Sequence, residues 1–266
     1  MTSPTSATLT TSTRAFLARY VPGATVDLLF VADLDVTMPV GASLNSYDGY
    51  IWTGFDLTIY HHDDSRVTRQ IELAQAIYQA GVPSYGSCWA AQMAAVAAGG
   101  EVKKSPKGRE WGLARDIQRT EAGRGSLLLD GKPDRYDGFI MHLDEVTRLP
   151  DGATLLATNK HSHVQALEVR HGEGVSWATQ YHPEYNLYEM ARLISARAEP
   201  LVKEGFFATA DEVQVYAGKM SDLYRDPNSQ VLRKELAVGD DILEAEIREQ
   251  ELRNWIDHLV LPSLKY

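Results

Sequence analysis

The sequence predicts an α/β fold: an open, mostly parallel, twisted sheet with flanking helices and a C-terminal helical extension. Three features carry that expectation. Up to Gly100, short apolar runs alternate with helix-patterned runs, the order that builds a parallel sheet covered on both faces. One apolar run ends in Gly86-Ser87-Cys88 and passes at once into the alanine-rich run Trp89 to Ala98, a strand–turn–helix elbow. Beyond Gly100 short strands separated by Gly, Pro and Asp turns take over, and after Tyr181-His182-Pro183-Glu184 the chain is helical to its end.

Taken in order, residues 1–11 read as a disordered lead. Thr13 to Tyr20 reads as a short helix closed by Pro22-Gly23. Thr25 to Val31 is a β-branched and apolar run expected to be a strand, and Tyr50 to Thr53 a second, short one. Arg66 to Ala80 carries Val67, Ile71, Ala74 and Ile77 at helical spacing, with Asp64 or Ser65 as cap and Gly81 as stop. Strands are expected over Glu101–Lys103, Leu113–Arg119, Phe139–His142, Thr154–Thr158, Val164–Val169 and Val175–Gln180, as an antiparallel or mixed continuation of the same sheet. Leu187 to Ala198 then opens the helical part. Asp240 to Leu261 repeats Ile242, Leu243, Ile247, Leu252, Trp255, Ile256 and Leu259 at amphipathic spacing, which suits packing against the body of the protein. With no linker of Ser and Gly, the division expected is a catalytic domain over 1–199 and an extension over 200–266 packed on it.

Composition narrows the function. A net charge of −10 argues against nucleic acid as partner, because phosphate binding needs a basic face. No apolar run approaches the ~20 residues that span a bilayer. The N-terminus lacks the charged-then-apolar pattern of a secretion signal, and a single cysteine suits a reducing compartment, so the expected location is cytoplasmic.

That single cysteine, Cys88, stands at the elbow. It has no second cysteine with which to form an internal disulfide or a multi-cysteine zinc site. A helix start offers free backbone N–H groups and the positive end of the helix dipole, both of which favour a thiolate. The bland reading is a small buried apolar residue. Against it stands Tyr181-His182-Pro183-Glu184. On extended backbone, residues two apart share a side, so His182 and Glu184 face together, and Pro183 stiffens the step between them. A thiol needs a base, and the base an orienting carboxylate; Cys88, His182 and Glu184 supply all three.

With both motifs in view, Gly86-Ser87-Cys88-Trp89-Ala90-Ala91-Gln92 and His182-Pro183-Glu184, the chain resembles a class I glutamine amidotransferase over roughly residues 25 to 197. That family has a flavodoxin-like sheet and the signatures Gly-x-Cys-x-Gly-x-Gln and His-Pro-Glu. The resemblance implies Cys88 as nucleophile, His182 as acid and base, and Glu184 as its orienting partner. It implies an oxyanion hole from the N–H of Trp89 and an N–H near Gly54-Phe55. It also implies Gln92, Met141 and His142 at the substrate end, with no cofactor and no metal.

The departures are Ala90 where the elbow usually has Gly, Gly54-Phe55 where the oxyanion loop usually reads Gly-Gly, and no recognisable strand before the Thr13 helix. Two functions stay open. One is a stand-alone hydrolase of γ-glutamyl alkylamides or anilides, as in amine catabolism downstream of a glutamine-synthetase-like enzyme. The other is a glutaminase subunit feeding ammonia to a separate synthetase. A γ-glutamyl peptidase differs from the first only in its leaving group, and a silent scaffold is disfavoured by the intact triad. Phe55, Trp52, Tyr60 and Trp89 are candidates to line an apolar amine slot, or are simply core. His61-His62-Asp63-Asp64 reads as a capping loop rather than a metal site, His161-Ser162-His163 as flanking the cleft or solvent, and Lys103-Lys104-Ser105-Pro106-Lys107 as a solvated loop.

Overall fold

The computed structural model describes residues 4–264, apart from the side chains of residues 4–11. Helix α1 covers Pro4–Tyr20, so the helix expected at Thr13 starts nine residues earlier and the expected disordered lead is helical from Pro4; residues 1–3 of that lead lie outside the described residues. Strand β1 (Tyr50–Trp52) leads through a loop to helix α2 (Ser65–Ala80), capped by the Asp64 side chain and ended by Gly81 in the left-handed conformation, φ 73°. Strand β2 (Ser84–Ser87) and helix α3 (Trp89–Ala97) flank Cys88. Then follow β3 (Glu101–Lys104), β4 (Glu110–Arg119), the short α4 (Glu121–Arg124), β5 (Arg135–His142), β6 (Asp144–Arg148), β7 (Ala153–Thr158), β8 (Ala166–His171) and β9 (Gly174–Thr179). The helical end is α5 (Leu187–Ala196), α6 (Ala198–Lys203), α7 (Ala210–Arg225), α8 (Gln230–Leu236), α9 (Asp240–Leu243), α10 (Ala245–Arg248) and α11 (Gln250–Trp255).

The main sheet has the order β1-β2-β9-β8-β7-β4-β5. Strands β1, β2 and β9 are parallel, because helices α2 and α3 connect them or follow them; from β9 to β5 every pairing is antiparallel. The open α/β class is as expected, with a sheet that is mixed rather than mostly parallel.

Two strand expectations are corrected. Thr25 to Val31 forms no strand. Its carbonyl and amide groups bond only locally, and Leu28, Leu29 and Phe30 stay exposed. Only Val31 finds a core, with Leu44, Leu73, Ile77 and Val82, while Arg69 on α2 donates to the carbonyls of Asp33 and Val36 and holds the segment down. An apolar β-branched run becomes a strand only when a neighbour offers a ladder, and β1 pairs with β2 alone. Second, Glu101–Lys104 leaves the main sheet and pairs antiparallel with β6, a strand too charged to be legible as one.

The extension packs on the body. Val213, Ala217, Met220, Leu223, Leu236 and Ile242 share a core with Leu113, Phe139 and Met141, while Leu252, Trp255 and Ile256 join Phe16, Tyr85, Ile140 and Tyr181. Beneath that second core lies a buried charge. Glu251 of α11 is fully buried, accepts from the Tyr181 hydroxyl at 2.5 Å and pairs with Lys132 Nζ at 3.1 Å. Lys132 also lies over the Tyr136 ring at 4.4 Å, and the Tyr136 and Tyr181 hydroxyls bond at 2.8 Å.

A buried pair is costly to halve, by about 3–5 kcal/mol, whereas apolar replacement of both partners is often close to neutral. Lys132→Met alone is therefore expected to lower the melting temperature more than Lys132→Met combined with Glu251→Leu. Thermal melts of both variants check this, and additive losses in the pair would contradict it.

Candidate active site

The elbow is strained as a nucleophile turn must be. Cys88 has φ 57° and ψ −107°, a region that costs a non-glycine residue about 1–3 kcal/mol. Its N–H donates to the Thr179 carbonyl at 2.8 Å, one step past the last β2–β9 pair, Ser87 with Thr179. The parallel ladder thus sets the cysteine beside the end of β9, three residues before His182. The turn also explains Ala90. A Cβ on Gly86 would lie 2.2 Å from the Ala90 Cβ, so the glycine at 86 is what lets alanine stand at 90.

His182 is buried, and its N–H donates to Phe139 O at 2.7 Å, which pins the turn after β9 to β5. Its Nδ1 donates to Glu184 Oε1 at 2.7 Å, which turns the other ring nitrogen to the Cys88 sulfur, the ring's second partner. The ring stacks on Tyr185 at 4.1 Å, with planes 1° apart. Burial alone would favour the neutral imidazole, but the Glu184 carboxylate and the Cys88 sulfur outweigh it and push His182 up to about 10. The Cys88 sulfur also lies 3.7 Å from the Met141 carbonyl.

Gly54 follows β1 into the same corner. A Cβ there would come within 3.0 Å of His182 Cε1 and 3.7 Å of the Cys88 Cβ, so the backbone approaches the reacting atoms as closely as a side-chain-free residue allows. Trp89 is the first residue of α3, and its N–H has no acceptor within the helix. The two groups expected to hold an oxyanion therefore flank Cys88. Phe55 is half-buried, 6.4 Å from the Trp89 ring.

The remaining expected residues are nearby but otherwise engaged. Gln92 Nε2 donates to Asp144 O at 2.8 Å. His142 faces Asp144 O at 2.8 Å with Nδ1 and Glu110 Oε2 at 3.0 Å with Nε2, so neither nitrogen is left for the thiol. The Glu110 carboxyl is buried, which would raise its pKa, yet His142 and Asn159 hold it below the usual range. Of the aromatic residues proposed for a slot, the Trp89 indole is core, donating to Gln70 at 3.1 Å, and Trp52 packs in the same layer. Phe55 and Tyr60 stay accessible, Tyr60 donating to Asp144 Oδ1 at 3.1 Å. His161 stacks edge-on to His142 at 6.1 Å, and His163 is exposed. An open cavity of ≈ 480 Å³ lined by Tyr60, His62, Lys103 and Lys104 includes none of the triad.

Sequence reasoning missed Ser87, whose hydroxyl donates to Glu184 Oε1 at 2.7 Å, as well as Tyr185 and Glu110. Ser87 lies inside the elbow motif, but at a position where the motif accepts any residue.

A cysteine at a strand–helix elbow, a histidine–carboxylate pair from the turn after a neighbouring parallel strand, and a mixed sheet define a cysteine amidotransferase-type α/β protein. The chain belongs to the class-I glutamine amidotransferase family, whose profile matches residues 61–197. It is 35% identical over 258 residues to a γ-glutamyl-L-1-hydroxyisopropylamide hydrolase from a Pseudomonas species, covering 94% of this chain and 85% of that protein. It is 33% identical over 139 residues to a GMP synthase from Leifsonia xyli, where it covers only 25% of the relative. In fold it is similar to a glutamine amidotransferase from Thermotoga maritima, with a TM-score of 0.66 at 19% identity and 93% and 91% of the two chains covered. A second such neighbour, from Methylobacillus flagellatus, has a TM-score of 0.65 at 20% identity, over 93% and 89% of the chains.

Two expectations follow. Gly86→Ala should destabilise the protein by about 1–3 kcal/mol through overpacking, and Ala90→Gly in the same chain should restore most of it; denaturant melts test the compensation. A histidine raised in the folded state adds stability that is fully present below its unfolded pKa of about 6.5 and is lost as pH rises through the folded value. The melting temperature should therefore fall from about pH 6.5 towards about 10, and fall less steeply in His182→Asn.

Proposed function

We propose that this protein hydrolyses the γ-glutamyl C–N bond of a γ-glutamyl amide, an alkylamide or anilide, to glutamate and the free amine. The observation that carries the reading is the convergence of Cys88, His182 and Glu184 in one buried corner, with His182 bonded on one side to the carboxylate and on the other to the thiol. Cys88 passes its thiol proton to His182 as its sulfur bonds to the γ-carbonyl carbon. The N–H of Trp89 and the backbone at Gly54-Phe55 take the charge that develops on oxygen, a contribution of about 3 kcal/mol per donor. His182 gives its proton to the leaving nitrogen, the C–N bond breaks, and a γ-glutamyl thioester remains. Water, deprotonated by His182, then attacks the thioester and releases glutamate and the thiolate. Glu184 orients the ring throughout; Gln92, Met141 and His142 line the glutamyl end.

The substrate class is supported by the relative that this chain matches over nearly its whole length, which is named for a γ-glutamyl alkylamide. Phe55 in place of the second oxyanion-loop glycine suits a leaving group larger than ammonia. In this reading residues 1–199 are the catalytic unit and 200–266 an extension packed on it, acting in the cytoplasm on a small molecule made by a glutamine-synthetase-like enzyme. The second reading is an ammonia-supplying subunit of a separate synthetase, favoured by the GMP synthase relatives. The chain spans about a quarter of their length.

Purified protein assayed on glutamine, γ-glutamyl alkylamides, γ-glutamylanilide and γ-glutamyl dipeptides should cleave at least one substituted amide far faster than glutamine. Glutaminase activity that dominates, and rises on adding a synthetase, would give the second reading. Cys88→Ala should lose turnover while still binding substrate; appreciable residual turnover would exclude the thioester route.

A further inference from the structure

Glu184 presents a single oxygen to two donors. His182 Nδ1 and the Ser87 hydroxyl both lie 2.7 Å from Oε1, while Oε2 is buried with no hydrogen-bond partner in the described protein. A carboxylate held through one oxygen by one donor can turn about its last bond and carry the donor with it. Held by two donors from separate segments of the chain, it cannot. The second donor is the last residue of β2, next to the nucleophile, and it is only 2% exposed. Two residues back on the same face of β2, the Tyr85 hydroxyl bonds the Thr179 hydroxyl at 3.0 Å, and Thr179 in turn donates to the Tyr181 carbonyl at 2.8 Å. One strand thus carries the thiol and braces the turn that carries its base.

From this geometry we infer that Ser87 is a positioning residue of the reaction, which fixes the Glu184 carboxylate and through it the aim of the His182 ring at the sulfur. This rests on the hydrolase reading above for its activity assay, though not for its chemical one. The role has two parts. The hydroxyl locks the carboxylate, so its loss loosens the ring. It also draws negative charge from the oxygen that faces the imidazolium, so its loss leaves a more basic carboxylate opposite the ring and a more strongly retained proton. The other titratable groups facing the pair are Cys88, Tyr85, Tyr185 and Glu189. Burial raises both tyrosines well above their usual range and raises Glu189 as well, and none of these groups is altered by a change at Ser87.

The test uses Ser87→Ala and Ser87→Thr in the whole chain, with thermal melts to show that each folds. On whichever γ-glutamyl amide the wild type cleaves, Ser87→Ala should lower kcat on the order of ten- to a hundredfold, the range seen when a group that orients a functional imidazole is removed. KM should change little, and Ser87→Thr should recover most of kcat. Independently of any substrate, the rate at which iodoacetate alkylates Cys88 is followed against pH. The anionic reagent is drawn by the imidazolium, so the alkaline limb reports loss of that charge, and it should move to higher pH in Ser87→Ala and return in Ser87→Thr. A folded Ser87→Ala with wild-type kcat, or with an unmoved alkaline limb, overturns the inference. Absence of turnover in the wild type would overturn the hydrolase reading and leave the alkylation arm to decide the role of Ser87.

Discussion

The site depends on the register of one parallel strand pair. Ser84, Tyr85, Gly86 and Ser87 of β2 stand opposite Ser176, Trp177, Ala178 and Thr179 of β9, and the Cys88 amide extends the ladder to Thr179 O. Both strands then end. One turns into α3 with the thiol at the bend, and the other releases Gln180–Asn186 as irregular chain bearing the imidazole and the carboxylate. A slip of one residue would turn His182 and Glu184 to the opposite face. Register is defended on both sides: the Ala90 Cβ leaves room for no side chain at Gly86, and His182 N–H is fastened to Phe139 O on β5.

That fastening makes the residues after 200 part of the site's foundations. The Tyr181 hydroxyl, one residue before His182, reaches Glu251, whose charge is balanced by Lys132 and shared with Tyr136. Such a network offers little net stability against an apolar replacement of the same shape, and a great deal of specificity about where its members sit. On the other face, the core built from α5 and α7 reaches Tyr185, which lies flat against the His182 ring. The imidazole is therefore held from Glu184, from Tyr185 and from the glycine at 54, and the helical extension braces Tyr185 directly and the turn through Tyr181.

What was legible in the sequence was what local chemistry dictates. The elbow, the His-Pro-Glu step, the α2 cap at Asp64 and the stop at Gly81 are each decided within a few residues of themselves. What was not legible is decided by partners distant in the chain. Thr25–Val31 has strand composition and no ladder to join. Asp144–Arg148 has three charged residues around Val146 and Thr147 and is a strand because Glu101–Lys104 pairs with it. Nothing local marks Ser87, between a glycine and a cysteine; its bond exists only because Glu184 arrives from 97 residues away. Likewise, two buried histidine–carboxylate pairs are present, and nothing in the sequence about His142 reveals that Asp144 O and Glu110 occupy both its nitrogens.

The charge balance of the corner suits the cleavage of an amine from an acyl group. An amine leaves only after its nitrogen is protonated, and a proton donor works best when its pKa is close to that of the group it serves. In the hydrolase reading, a ring whose charged form is favoured by the Glu184 carboxylate against its own burial is suited to giving a proton to an amine nitrogen. Part of that elevation comes from the Cys88 sulfur. In the same reading, acylation of the sulfur removes that interaction from the ring, which favours the neutral imidazole that the attack of water on the thioester requires. In that reading the thiol acts on the histidine as well as on the substrate, since forming the thioester shifts the ring from proton donor towards proton acceptor while Glu184 stays in place.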